Sequence, residues 1–182
     1  MANTPYKIVV GPLKLYYAAV GTAAPTSFPD TPSGWTEMAA YQGESGIVIT
    51  PEQTTEEIFV DNDTAPQKAV RTREGLTVEV PVLDMSPEVM AKANNGVTVT
   101  TLTDRKEVPL YRGLDIDEMA VLAYGQQGPV GNDMKAFYWM PRAYVMAHGP
   151  KTYVKGEPTM YTVTFRALRH STERLGKYIV EV

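Results

Sequence analysis

The side chains that could do chemistry are few and scattered in this sequence. Asp61-Asn62-Asp63 alternates oxygen ligands as a calcium loop does, but the sixth position is Pro66, where such a loop needs glycine, and the twelfth is Thr72. This run therefore favours a solvated hairpin tip. Asp115-Ile116-Asp117-Glu118 offers paired carboxylates, yet nothing nearby would raise one pKa for acid–base work. It indicates a charged turn before a strand.

Motifs for a nucleophile or a phosphate are incomplete. His170 precedes Ser171, but a triad would need an acid brought in by the fold, and no serine lies in a glycine-flanked nucleophile elbow. The glycines of Gly125–Gly131 are followed by neither Lys-Ser/Thr nor a helix. We therefore expect no catalytic residue, no metal and no cofactor.

The composition excludes further classes of site. The chain of 182 residues has no cysteine, which rules out disulfides, thiolate zinc sites and a cysteine nucleophile, and two histidines leave little for a transition metal. The net charge of −4 argues against a sequence-independent grip on nucleic acid. With 14 glycines and 14 prolines, the chain is typical of a loop-rich β protein. We expect one domain over residues 1–182, made in a cytoplasm and without a membrane span.

Strand-forming segments alternate with turns along the chain. In Arg71–Leu83 apolar side chains occupy every second position, as in a half-buried antiparallel strand. Ala136–Met146 is apolar on both faces, which predicts a central strand. Gly21–Gly34 is rich in turn residues and has little to bury. The other predicted strands are Lys7–Tyr17, Gly46–Thr50, Thr54–Val60, Val97–Thr103, Glu118–Tyr124, Thr159–Leu168 and Tyr178–Val182.

One short helix is predicted from Pro87 to about Ala93. Ser86 is placed to cap the free amides, and Pro87 suits the first helical position. Asn94-Asn95-Gly96 supplies the left-handed residues that end the helix. The helix is too short to stand alone, so it must pack on a sheet. Its small apolar face consists of Val89, Met90 and Ala93.

Charge is unevenly distributed. Glu44–Met90 contains ten acids and three bases, whereas Lys135–Val182 contains eight bases and three acids. The two segments therefore carry formal charges of −7 and +5. This asymmetry is neutralised either within one subunit or by the next copy in an assembly.

Gly34-Trp35-Thr36-Glu37-Met38 leads to a strand pair, the polar hairpin Asp61–Pro66 follows, and an alternating strand runs into Leu83 before the helix Pro87–Ala93. This order of features resembles the major tail tube protein of long-tailed bacteriophages, which is related to type VI secretion tube proteins. The resemblance implies a mainly β fold. Its form is an antiparallel β-sandwich or half-barrel with one short flanking α-helix and a long hairpin loop.

The family's assembly follows from the resemblance as an expectation. Subunits would form hexameric rings with their hairpins joined into one barrel around a lumen, and the rings would stack into a tube for DNA ejection. The partners implied are further copies of the chain, tape measure protein and double-stranded DNA transiently in the lumen, and tail terminator and tail-tip proteins at the ends, with no membrane. The location implied is the virion, after assembly in the host cytoplasm.

The acidic segment suits such a lumen, because Lys or Arg there would hold the DNA phosphates and slow transit. If Leu76, Val78 and Val80 face the core, the lumen-facing residues are Thr55, Glu57, Thr77 and Glu79. If the register of the first of these strands is flipped, Glu56 points inward instead. Met1–Tyr6 is predicted to be a flexible arm, and by resemblance residues 61–69 form the inter-ring loop. The residues assigned to that loop are Asp61, Asn62, Asp63, Thr64, Ala65, Pro66, Gln67 and Lys68.

Three other readings remain open at this level. The chain could be another tail or secretion-tube β protein, such as a tail terminator, which should stop growing at rings. It could be a ligand-binding β-barrel, which should be monomeric and show a saturable small-molecule site. An enzyme would need an acid–base or nucleophile set that the sequence does not offer.

Overall fold

The strands of this chain form one curved antiparallel sheet, with a two-stranded hairpin beside it. The computed structural model describes residues 10–28, 31–38, 46–59, 65–83, 86–110, 113–127, 135–151, 153, 155–156 and 159–181. The elements are β1 (Val10–Ala18), β2 (Thr36–Glu37), β3 (Val48–Ile58), β4 (Lys68–Val82), α1 (Pro87–Ala93), β5 (Thr100–Thr101), β6 (Lys106–Glu107), β7 (Glu118–Gln127), β8 (Ala136–His148), β9 (Tyr161–Ala167) and β10 (Lys177–Val180).

The strand order is β2-β1-β7-β8-β9-β4-β3, and β10 pairs with β8 beside β9. The predicted mainly β, antiparallel fold with one flanking helix is confirmed. The strand predicted to be central, now β8, lies in the middle of the order, and its side chains are buried on both faces. The predicted arm Met1–Tyr6 lies outside the described residues.

Side chains from distant strands meet in one main core. Leu15 on β1 and Val78 on β4 lie near opposite ends of the strand order, yet both are fully buried in the same cluster. The sheet must therefore curl around that cluster, as a half-barrel does. From α1, Val89 and Ala93 are buried in the cluster and Met90 packs against it, which confirms the predicted apolar face. Burial of this face holds a helix too short to be stable alone.

A second core lies on the other face of β1, β7 and β8. Its largest fully buried members are Tyr16, Tyr124 and Phe137, and the rings of Tyr124 and Phe137 stack at 5.7 Å. The segment predicted to have little to bury covers this face: Phe28 packs on Phe137 at 5.3 Å, and the Trp139 indole donates to the Thr22 carbonyl oxygen at 3.0 Å. The sequence does not predict that this segment covers the core, because a single phenylalanine among turn residues forms no periodic apolar pattern.

Several boundaries differ from the prediction. The segments separated at Pro51 form one continuous strand; β3 is an edge strand, which is where a sheet tolerates proline. The strand predicted over Val97–Thr103 is reduced to β5, which pairs only with β6. Ser86 precedes the helix but makes no side-chain capping bond; its carbonyl oxygen accepts from the Met90 amide at 2.9 Å.

The helix ends as predicted, and the turn allows a stability test. Asn95 and Gly96 both have a φ of 67°, and a Cβ on Gly96 would overlap the carboxylate of Asp117. We expect Gly96→Ala to lower the free energy of unfolding by more than the roughly 1–3 kcal/mol that a strained backbone costs. Gly113→Ala is the matched control, because Gly113 has a φ of 71° and open space around it. Equal losses in urea unfolding would show that the overlap is relieved without cost.

Candidate functional site

The hairpin of β3 and β4 projects beyond the rest of the sheet. β4 pairs with β9 only from Thr77 to Val82, whereas its pairing with β3 continues out to Lys68. Every residue in 50–59 and 65–74 is exposed. We call residues 50–59 and 65–74 the ribbon. It is a two-stranded extension without a core of its own.

The pairing register decides which ribbon side chains share a face. Between Thr54 and Thr55 the register shifts, so that Thr54 lies opposite Arg73 and Thr55 opposite Arg71, leaving Thr72 as the extra residue of a β-bulge. Paired residues in an antiparallel ladder lie on the same face, and neighbours along a strand lie on opposite faces. The bulge therefore reverses the alternation along the outer part of β4.

Two faces result. The core face includes Ile49 and Leu76, which pack against the main core, and it continues outward through Thr55 and Glu57. The outer face includes Thr77 and Glu79, and continues on β3 through Thr50, Glu52, Thr54 and Glu56. A salt bridge of 3.0 Å between Glu52 and Arg166, which lies opposite Thr77, supports the assignment of the outer face.

The four residues predicted to face a lumen therefore do not share one face. Thr55 and Glu57 lie on the core face, and the alternative with Glu56 beside Glu79 matches the register. Thr77 is 8% exposed, so its side chain is covered in the single subunit, while Glu79 is exposed. Leu76 is half-buried and Val78 and Val80 are fully buried, as the prediction assumed. The lumen itself stays a prediction.

The predicted inter-ring loop lies at the outer end of the ribbon. Asp61 to Thr64 are outside the described residues. Ala65 to Gln67 form the turn into β4, Lys68 is already its first residue, and the Gln67 amide donates to the Ile58 carbonyl oxygen at 2.9 Å. Ile58 and Phe59 beside this turn are 50% and 54% exposed. Apolar side chains at an exposed tip are unusual unless a partner covers them.

The two strands of the ribbon carry opposite charge. β3 holds Glu52, Glu56 and Glu57 without a base, whereas the outer part of β4 holds Lys68, Arg71 and Arg73. Arg71 hydrogen-bonds Glu74 at 2.7 Å, which lowers the pKa of that carboxyl. Among the described residues, Glu56, Glu57 and Arg73 form no salt bridge, so the ribbon has charged groups available for a partner.

Two carboxylates at the start of β7, Asp117 and Glu118, form structural ion pairs. Asp117 binds Lys92 of α1 at 3.0 Å, and the Arg142 guanidinium donates to both oxygens of Glu118 at 2.6 and 2.7 Å. These bonds lower the pKa of Glu118 from its ordinary 4.5. Within the described part of the chain, no three His, Asp or Glu side chains gather as a metal site would require.

The Glu118 pair predicts a pH dependence of stability. A carboxyl group whose pKa is lowered in the folded state contributes its full stabilisation at pH values above its unfolded-state pKa. That contribution is lost as the pH falls through the folded-state pKa. We expect Glu118→Gln to be less stable than the parent at pH 7 and the difference to vanish well below pH 4.5. Urea unfolding at both pH values measures this, with the exposed Glu79→Gln as control. A deficit that does not change with pH would contradict the role of the charge.

His170 takes part in a turn. Its amide donates to the Arg174 carbonyl oxygen at 2.6 Å, and its Nδ1 accepts from the Thr172 amide at 3.4 Å. In the described residues no hydrogen bond links His170 to an acid or to Ser171.

The described helix is also too short and polar to cross a membrane.

The sequence does not predict the full length of the ribbon, because Pro51 interrupts the strand pattern near its base. The signal that could have found it is the run Gln53-Thr54-Thr55-Glu56-Glu57, where the threonines favour a strand but no apolar residue marks a buried face. No protein-family model matches the chain, and a search of curated proteins finds no match. The function is therefore inferred from the fold and the ribbon.

Proposed function

We propose that this protein is a structural subunit that assembles into stacked rings forming a phage-type tail tube, a conduit for DNA. The ribbon is the observation that carries the proposal. A two-stranded hairpin alone is marginally stable in water, and all twenty residues in 50–59 and 65–74 are exposed. A ribbon of this kind gains stability when neighbouring copies cover it.

Open sheet edges support assembly into rings. In the described residues β3 has a neighbour only on its β4 side, and β2 covers only Tyr16 and Tyr17 of β1. Both ends of the strand order therefore present unpaired backbone groups, which invite pairing with another chain. Pairing between unlike edges is head-to-tail, and it closes into a ring when the rotation allows.

The outer face carries two exposed acids for the wall of a DNA conduit. By the register its acids are Glu52, Glu56 and Glu79, of which Glu52 is paired with Arg166, and its bases on the ribbon are Lys68 and Arg73. Exposed carboxylates do not neutralise phosphates, so a wall at Glu56 and Glu79 would let DNA pass without being held. The lining that we propose is accordingly Glu56 and Glu79.

The lining predicts a gain of DNA binding. We expect Glu56→Lys with Glu79→Lys to leave assembly intact, because both side chains are exposed, and to make the tubes retain double-stranded DNA at low salt. Co-sedimentation of tubes with DNA over a salt series measures this. Glu56→Gln with Glu79→Gln removes the same charges without adding bases and should retain little DNA. Lysine tubes that do not bind DNA would place the outer face away from the lumen.

Negative-stain microscopy with light scattering over a range of concentrations tests the function itself. Hollow tubes are the expected result. Single rings that never lengthen would favour a tail terminator instead. A protein that remains monomeric at every concentration would contradict the proposal, and saturable binding of a small molecule by that monomer would favour a ligand-binding barrel.

A further inference from the structure

A cavity of about 370 Å³ lies at the base of the ribbon. It is lined by Glu74, Arg169, Arg174 and Leu175. Glu74 is the last exposed residue of β4 before the strand enters the core, and Leu175 packs against the main core. A volume of roughly 300 Å³ or more is enough for a small ligand or for side chains of a partner.

The cavity offers positive charge beside an apolar wall. Neither Arg169 nor Arg174 forms a salt bridge within the described residues, and both are exposed. The carboxylate of Glu74 accepts a hydrogen bond from Arg71 at 2.7 Å, and this bond, with the charges of Arg71 and Arg174, lowers its pKa. Arg174 has a φ of 52°, which is costly for a residue other than glycine. The turn thus places a strained residue at the border of the cavity, a pattern that is common at binding sites.

The outer end of the ribbon has the complementary chemistry. Glu57 lies near the end of β3, and Phe59 follows directly after the strand ends at Ile58. Glu57 makes no salt bridge in the described part of the chain, and the Phe59 side chain is 54% exposed. One carboxylate and one aromatic ring would match two guanidinium groups and a leucine.

These groups cannot meet within one subunit. Glu57 lies opposite Ala69 on β4, and Ala69 is five residues along the strand from Glu74. At about 3.3 Å per residue the outer end is roughly 17 Å from the cavity. Contact between the two therefore needs a second copy of the chain.

We propose that the cavity binds the outer end of the ribbon of a second copy, with Glu57 between Arg169 and Arg174 and Phe59 against Leu175. The proposal rests on the self-assembly proposed above and names the contact that stacks the subunits. Charge-assisted hydrogen bonds to Arg are strong and directional, and guanidinium groups also pack on aromatic rings. Because donor and acceptor surfaces differ, the contact is head-to-tail and repeats along a line.

Disulfide trapping tests the contact, because the chain has no cysteine of its own. Under mild oxidation we expect Glu57→Cys with Arg174→Cys to give a ladder of covalent multimers on a non-reducing gel. A bond within one chain is excluded, since a disulfide needs Cα atoms within about 7 Å. Each single variant should give dimers at most. Glu57→Cys with Lys155→Cys is the matched control and should give no ladder.

Charge exchange provides a second readout. Glu57→Arg alone and Arg169→Glu with Arg174→Glu should each raise the critical concentration for tubes about tenfold or more, as the loss of a charged hydrogen bond predicts. Mixing the two variants pairs each altered surface with its complement and should restore assembly. The control for the negative variant is Arg105→Glu with Lys155→Glu.

The outcomes separate the contact from the function. If the parent protein forms tubes but the Glu57→Cys with Arg174→Cys variant gives no ladder, the proposed contact is wrong and the tube proposal stands. The same follows if the charge-reversal variants assemble as the parent does. Inorganic phosphate that binds the parent but not Arg169→Glu with Arg174→Glu, again without a ladder, would make the cavity an anion site. A parent that never assembles would overturn both proposals.

Discussion

A chain in which residues 54–73 are replaced by Asn-Gly is expected to fold but not to assemble. Gln53 and Glu74 are paired, so a two-residue turn can join them. Every described residue that is removed is exposed. Because surface residues contribute little to stability, we expect the free energy of unfolding to change by about 1 kcal/mol or less. Loss of the ribbon should remove tube formation completely.

Urea unfolding and light scattering on the same samples measure the two effects separately. The matched control replaces residues 101–106 by Asn-Gly between Thr100 and Glu107, which are also paired in an exposed hairpin. That variant should still form tubes. If the chain without its ribbon assembles as the parent does, the ribbon is not the assembly element and the proposed function loses its main support.

Phe137→Ala is expected to be the most destabilising of the substitutions considered. The side chain is fully buried in the second core, between the rings of Phe28 and Tyr124. Removing a buried phenylalanine costs about 3–5 kcal/mol. That is a large part of the roughly 5–15 kcal/mol of a typical domain. The segment that covers this face should lose its anchor at the same time.

Phe59→Ala is the control for this substitution, with the opposite expected result. Phe59 is 54% exposed, so its loss should change the free energy of unfolding by about 0.5 kcal/mol or less. It should nevertheless weaken assembly if the ring docks on another copy. Equal destabilisation of the two variants in urea would show that the ribbon end is packed within the subunit. A small effect of Phe137→Ala would show that the second core repacks into the space left by the phenylalanine ring.

Local physical chemistry made part of the fold readable from the sequence. The alternation in Arg71–Leu83 predicts one buried face, and Val78, Val80 and Val82 are fully buried. Pro87 and Asn94-Asn95-Gly96 bound the helix at the residues where the structure has it. These features depend on neighbours a few residues apart, so the chain encodes them without tertiary contacts.

The functional surface was less readable, because long-range pairing decides it. Thr50 lies opposite Thr77, and Thr55 is five residues further along β3, so Thr55 and Thr77 lie on opposite faces. No local signal along either strand specifies which residues pair across the hairpin. The same pairing divides the predicted lumen set between two faces.

The sequence by itself determined an antiparallel β protein with one short helix, and its uneven charge. Strand periodicity, turn residues and composition are local properties, and they suffice for that much. Only the tertiary structure decided that β3 passes through Pro51, that the ribbon extends beyond the core, and that Arg169 and Arg174 border one cavity. These features depend on which edge is left unpaired and on contacts between residues about a hundred positions apart, and no pattern along the chain records them.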